Sequence, residues 1–159
     1  MRKLKYLLCV ILSLISLSGS AQRILTEATS MKGVNSVFIG KTMLKAAGAS
    51  ISISGDQTAI DMSKIFKDLT SIEIISCDDK RNVEKVEIKC RRILSAYPFE
   101  VITETSSDGK SIQISGVFDK AGKNIETLLI AITGINEASF IVMKGKIDVV
   151  TLNNAVFAY

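Results

Sequence analysis

The stretch SFIVMKGKIDVV, Ser139 to Val150, sets two lysines around a glycine and an aspartate two residues further on. Lys144, Lys146 and Asp148 alternate with Met143, Gly145, Ile147 and Val149, so an extended strand would present all three charges on one side. On a sheet face free of helices they would bind an anionic partner or a glycan. The plainer reading is a solvated strand face, where such charges contribute little. A second chemistry to weigh is carboxylate catalysis. Glu100 and Glu104 share one side of an extended segment with Ile102 between them, and glycoside hydrolysis requires two acids about 5–9.5 Å apart across a cleft.

Composition removes most other chemistries. The chain contains no histidine, which excludes Ser-His-Asp and Cys-His catalysis and nearly every catalytic zinc site. Cys77 and Cys90 alone cannot supply a four-ligand structural metal site, so no metal and no cofactor is expected. GVFDKAGKN, Gly116 to Asn124, imitates a phosphate-binding loop. It has one residue too many between its glycines, and Asn124 stands where Ser or Thr must hold magnesium. SDGK, Ser107 to Lys110, has the spacing of an acylating Ser-x-x-Lys pair, but on a hairpin tip no apolar wall lowers the lysine pKa. Asp78 and Asp79 suit the start of a helix better than a calcium site. The terminal VFAY resembles the end of an outer-membrane strand, but 6% aromatic content and the helical segments argue against a barrel.

The elements that would hold these residues follow from periodicity. VNSVFIG, from Val34, reads as a short strand and KTMLKAAG as a short helix ended by Gly48. Ala49 to Ala59 is rich in Ser and Gly and reads as a flexible loop. Met62, Ile65, Phe66 and Leu69 form one helical stripe. SIEIIS, Ser71 to Ser76, reads as a strand. Val83, Val86, Cys90, Ile93, Leu94 and Tyr97 then keep one face of a helix apolar until Pro98 stops it. After Pro98 the period drops to two. Asp108-Gly109 is a hairpin signal, and three short turns join four strands into an antiparallel meander. The expected architecture is a single α+β domain with two layers. The C-terminal four-stranded antiparallel meander, with one or two N-terminal strands, packs on two or three helices. The helices cover one sheet face and leave the side of Lys144, Lys146 and Asp148 open.

Cys77 ends a strand, and Cys90 lies about 15 Å along the following helix at 1.5 Å per residue. A disulfide needs α-carbons within about 7 Å, so both are expected to be free thiols.

Residues 1–21 read as an export signal. Arg2, Lys3 and Lys5 precede an apolar run of about a dozen residues, too short to span a bilayer, with Gly19 and Ala21 at the spacing a signal peptidase reads. Cleavage after Ala21 leaves 22–159 as one domain with no transmembrane span, in the periplasm or at the cell surface. The full chain carries a formal +4, but three of its positive charges leave with the signal. The balanced remainder argues against nucleic acid as a partner.

The succession VNSVFIGKTML, LTSIEII, a charged helix ending at Tyr97, FEVITETSSDGKSIQI and FIVMKGKIDVVTL resembles the Domain of Unknown Function 4252 family, from about Ala28 to Leu152. Its most specific part is the spacing of Gly145, Ile147, Asp148 and Leu152. The resemblance implies a small exported envelope protein, of a kind found chiefly in Bacteroidetes and in some cases encoded beside extracytoplasmic sigma factors. It carries no catalytic residues. The sequence therefore points to a non-catalytic binding module that meets an envelope protein or glycan through an open sheet face. A histidine-free, carboxylate-based glycan hydrolase is one alternative. A regulatory or structural subunit of an envelope assembly or stress-response system is the other.

Overall fold

The computed structural model describes residues 23–47, 68–150 and 152. The leader, the Ala49–Ala59 loop and most of the helix expected from Asp61 lie outside the described residues. Strands β1 (Val34–Gly40), β2 (Leu69–Cys77), β3 (Glu100–Ser107), β4 (Lys110–Phe118), β5 (Asn124–Gly134) and β6 (Glu137–Asp148) alternate with helices α1 (Lys41–Ala47) and α2 (Val83–Leu94). They form a six-stranded antiparallel sheet in the order β1-β2-β6-β5-β4-β3. The meander after Pro98 is present, and β2 pairs with its last strand. Leu69, expected on a helical stripe, instead opens β2.

Local chemistry explains the elements. The β3–β4 turn holds Asp108 at φ 50° and Gly109 at φ 76°, the left-handed pair that a tight hairpin requires. Ahead of α2, Asp79 shapes the turn. Its carboxylate accepts from the Arg81 N–H at 3.0 Å and from Asn82 Nδ2 at 2.7 Å. These bonds hold its pKa below the usual carboxylate range. The helix N-cap is Asn82, whose side chain makes no capping bond. The expected aspartate cap therefore acts one turn early. Arg91 and Arg92 occupy the last turn of α2, where cations suit the helix dipole.

Both faces of the sheet are apolar, and they are covered differently. On one face, Val83, Val86, Cys90 and Leu94 of α2 pack with Ile75, Leu129, Ala131, Phe140 and Val142. Ile24, Leu25 and Ala28 of the N-terminal segment join that core. Leu25 and Ala28 are wholly buried around a 3-10 turn, Thr26–Ala28. On the other face, Leu44 of α1 and Leu152 pack with Ile72, Ile125, Leu128, Met143 and Ile147. The longer helix α2 thus covers the face of Phe140 and Val142 and not that of Ile141 and Met143, where it was expected; on the Met143 side the cover is Leu44 of α1 with Leu152, and Met143 and Ile147 are buried there as expected. No described helix is long and apolar enough to cross a membrane.

Candidate functional site

The structure does not bring Lys144, Lys146 and Asp148 together on an open face. Lys144 shares a registered row with Ser71 and Thr127, next to the row of Glu73, Val142 and Leu129 on the side that α2 covers. Burial holds its ammonium below the usual lysine range, and the Glu73 carboxylate opposes that shift. Lys146 and Asp148 are exposed beyond an irregularity that shifts register against both neighbouring strands. Gly145, at φ 149°, makes this irregularity possible. A Cβ there would lie 2.5 Å from the Asp68 carbonyl oxygen and 2.6 Å from Leu69 Cα. The Lys146 N–H donates to that same carbonyl at 3.2 Å, and Thr70 Oγ1 donates to the Lys144 carbonyl at 3.1 Å. KGK is therefore a structural joint where β2 enters the sheet. Gly145→Ala is expected to lower the unfolding free energy by roughly 2 kcal/mol, because backbone atoms cannot yield as a flexible side chain would. A urea titration measures it.

The two carboxylates considered for catalysis are also separated. β3 carries a bulge between Val101 and Thr103. Glu100 pairs with Gly116 and Glu104 pairs with Gln113. Gly116 neighbours Leu128, and Gln113 neighbours Ala131, residues of opposite sheet faces. The extra residue, Ile102, turns its side chain over Gly116, where a Cβ would meet Ile102 Cδ1 at 3.2 Å. The one-side reading assumed an unbroken pleat, and the bulge breaks it.

One residue with a strong role was not singled out from sequence. Glu73, in the middle of β2, is 3% exposed. Its Oε2 accepts from the backbone N–H of Ile24 at 2.8 Å and of Leu25 at 3.1 Å. Its Oε1 lies 3.4 Å from Arg23 Nε, and the Arg23 guanidinium stacks on the Phe38 ring at 4.9 Å. A buried carboxylate needs such partners. Here they are the two backbone donors and the cation that begin the described chain, so Glu73 pins the N-terminal segment to the sheet.

Cys77 and Cys90 are free and buried in the same core. Burial first, then the Glu73 charge and Cys77, push the Cys90 thiol from its ordinary 9.0 up to about 12. A protonated, enclosed thiol is inert. A thiol-disulfide reagent is expected to modify neither cysteine in the folded protein and both after unfolding. Because the folded-state pKa of Cys90 is raised, its contribution to stability is whole below about pH 9 and is lost as pH rises toward 12. Lys144, with a lowered folded-state pKa, acts in the opposite sense at alkaline pH. Cys90→Ala should therefore flatten the alkaline fall in denaturation midpoint, and an unchanged slope would show another group controls it.

Two adjacent rows on the face opposite α2 are distinctive because they lack charge, while Glu100 on one side of them and the Lys110–Glu137 ion pair on the other carry the charge of that face. One registered row crosses every strand as Val37, Ile74, Ile141, Ile130, Ile114 and Thr103. The next reads Asn35, Ser76, Ser139, Ile132, Ile112 and Thr105. No charged residue interrupts either row. Val37 is 49% exposed and Ile112 43%, and the isoleucines between them remain only partly buried. At about 4.8 Å between strands, the Val37–Ile114 strip runs about 19 Å.

Residues 28–155 match the family described as Domain of unknown function (DUF4252), and the chain belongs to that family. No curated protein and no solved structure matches it.

Proposed function

We propose that this protein is a non-catalytic binding module of the cell envelope, exported and cleaved after Ala21, and that its working surface is the uncharged strip made by the Val37–Ile114 row and the adjoining row that holds Ile112. The single observation that supports this most is the pair of charge-free rows whose isoleucines stay partly exposed. An uncharged, partly exposed apolar strip on an exported protein favours a protein partner over a glycan, which would require polar groups. The strip suits an amphipathic helix of about 13 residues laid across the strands, at 1.5 Å per residue. On the opposite face α2, a helix of 12 residues, already covers an apolar surface of this kind. The partner is accordingly an envelope protein that presents such a helix.

Ile112→Asp tests the reading, with Ile88→Asp as control. Ile88 is 61% exposed on α2, away from the strip. Tagged protein crosslinked in its native cells should lose its co-purifying partner with Ile112→Asp and keep it with Ile88→Asp, both variants staying folded. Equal retention would remove the strip from the interaction.

A further inference from the structure

The two outer edges of the sheet are built differently. On β3 the bulge between Val101 and Thr103, together with Glu100 and Glu104, disfavours pairing with another strand. Strand β1 has none of these guards. VNSVFIG contains no charge and no proline, and all 7 of its residues pair with β2 without a register shift. Among the described residues β2 is its only strand neighbour. Asn35, Ser36, Val37 and Phe38 are all exposed. An unguarded, regular edge is a template for another strand.

We propose that this edge pairs antiparallel with the same edge of a second copy, with Val37 on the two-fold axis. The choice of occupant follows from the strand's own sequence. Centring on Val37 is the register in which the full strand overlaps itself. It sets Phe38 opposite the partner's Ser36, Ile39 opposite the partner's Asn35, and Val34 opposite the partner's Gly40. Val37 meets its own copy as a β-branched pair, each larger side chain beside it meets a smaller or less bulky one, and no like charges face each other within the paired strands. Val37 lies in the same row as Ile74, Ile141, Ile130 and Ile114. Pairing would therefore join the uncharged strips of the two copies into one continuous row. A two-fold contact of this type closes on itself and makes a dimer, not a fibre.

Two short strands bury less than the roughly 1,200 Å² of a stable interface, so the dimer is weak and concentration-dependent. Lys32, just beyond one end of β1 in one copy, comes near Lys41, just beyond the opposite end, in the other. Added salt should screen them and tighten the dimer, the reverse of an association held by opposite charges.

Sedimentation equilibrium of the purified protein tests the proposal. The wild type should dimerise with rising concentration, more tightly at higher salt. Val37→Lys and Val37→Glu should each weaken the dimer at least tenfold while remaining folded, since Val37 is an exposed side chain. An equimolar mixture of the two should restore dimerisation. Val101→Lys, at the other edge, should leave it unchanged.

Disulfide trapping fixes the register. Residues opposite each other in an antiparallel pair have α-carbons about 4.5–5.5 Å apart, within disulfide range. Val37→Cys alone should crosslink two copies on mild oxidation, and Asn35→Cys alone should not. A monomer at every concentration, a dimer indifferent to both Val37 variants, or one broken by Val101→Lys would overturn the proposal. So would capture of a foreign strand on β1 by a protein that stays monomeric. Ile112 lies on β4, far from this edge, so loss of the dimer leaves the partner experiment at Ile112 intact.

Discussion

Glu73→Ala should lower the unfolding free energy by about 2–4 kcal/mol, chiefly the cost of leaving two buried backbone donors without their charged acceptor, since Arg23 keeps a third of its side chain in solvent. The substitution strands three groups together: the N–H of Ile24, the N–H of Leu25 and the Arg23 guanidinium. Hydrogen bonds to a charged acceptor contribute about 1.5–3 kcal/mol each, but they share one carboxylate, so their losses do not add in full. Glu73→Gln should cost less, because its amide oxygen still accepts from the two backbone donors. The loss should also be local. Ile24, Leu25 and Ala28 would leave the core that they share with α2, and backbone amides 24 and 25 should lose hydrogen-exchange protection before the strands do. A Glu73→Ala protein that keeps both its urea midpoint and the protection at 24 and 25 would show that the N-terminal segment is not held by this carboxylate.

Phe140→Ala is the other large effect, at about 3–5 kcal/mol for an aromatic side chain removed from a packed core. Phe140 is 0% exposed and heads the fully buried side chains by volume. It sits between Ile75 and Ala131 in the sheet, in the core that α2 completes. The small neighbours Ala131 and Ala138 cannot move in to fill the space it leaves. Its chain neighbour Ile141 points to the other face and is only partly buried, so Ile141→Ala should cost markedly less, about 1–2 kcal/mol. The comparison of the two adjacent variants by chemical denaturation decides which face is the more deeply packed at this point of β6. Equal losses would place comparable packing on both faces and remove the case for an available strip.

The hardest feature to read from sequence was this choice of face. In FIVM both alternating sets are apolar, Phe140 and Val142 on one side and Ile141 and Met143 on the other. Period alone therefore does not say which side a helix covers. The charges of Lys144, Lys146 and Asp148 suggested an answer, and they misled, because Lys144 is tolerated half-buried near Glu73 and the joint at Gly145 interrupts the pattern. The meander and the α2 stripe were legible because they rest on local signals: Asp108-Gly109 for a hairpin, Val83, Val86 and Cys90 for one helix face. Bulges are less legible. The extra residue at Ile102 reverses Glu104 relative to Glu100, and nothing in EVITE marks it.

Glu73 escaped notice for a different reason. Its partners lie 48 and 49 residues away in sequence, outside any local window. A signal was nonetheless present: a single carboxylate inside SIEIIS, flanked by apolar residues on both faces, has to find a donor elsewhere. The uncharged strip was visible only piecemeal, as isoleucines on separate strands. The order that sets Val37, Ile74, Ile141, Ile130 and Ile114 side by side depends on β2 joining β6, a long-range pairing that periodicity does not encode.

A photo-crosslinking residue placed at Ile112, in protein expressed in its native cells, tests the binding surface most directly. The expected result is an adduct with one envelope protein, mapping to an amphipathic helical segment, and no matching adduct from Ile88. No adduct from Ile112, or the same adducts from both positions, would contradict a partner seated on the strip.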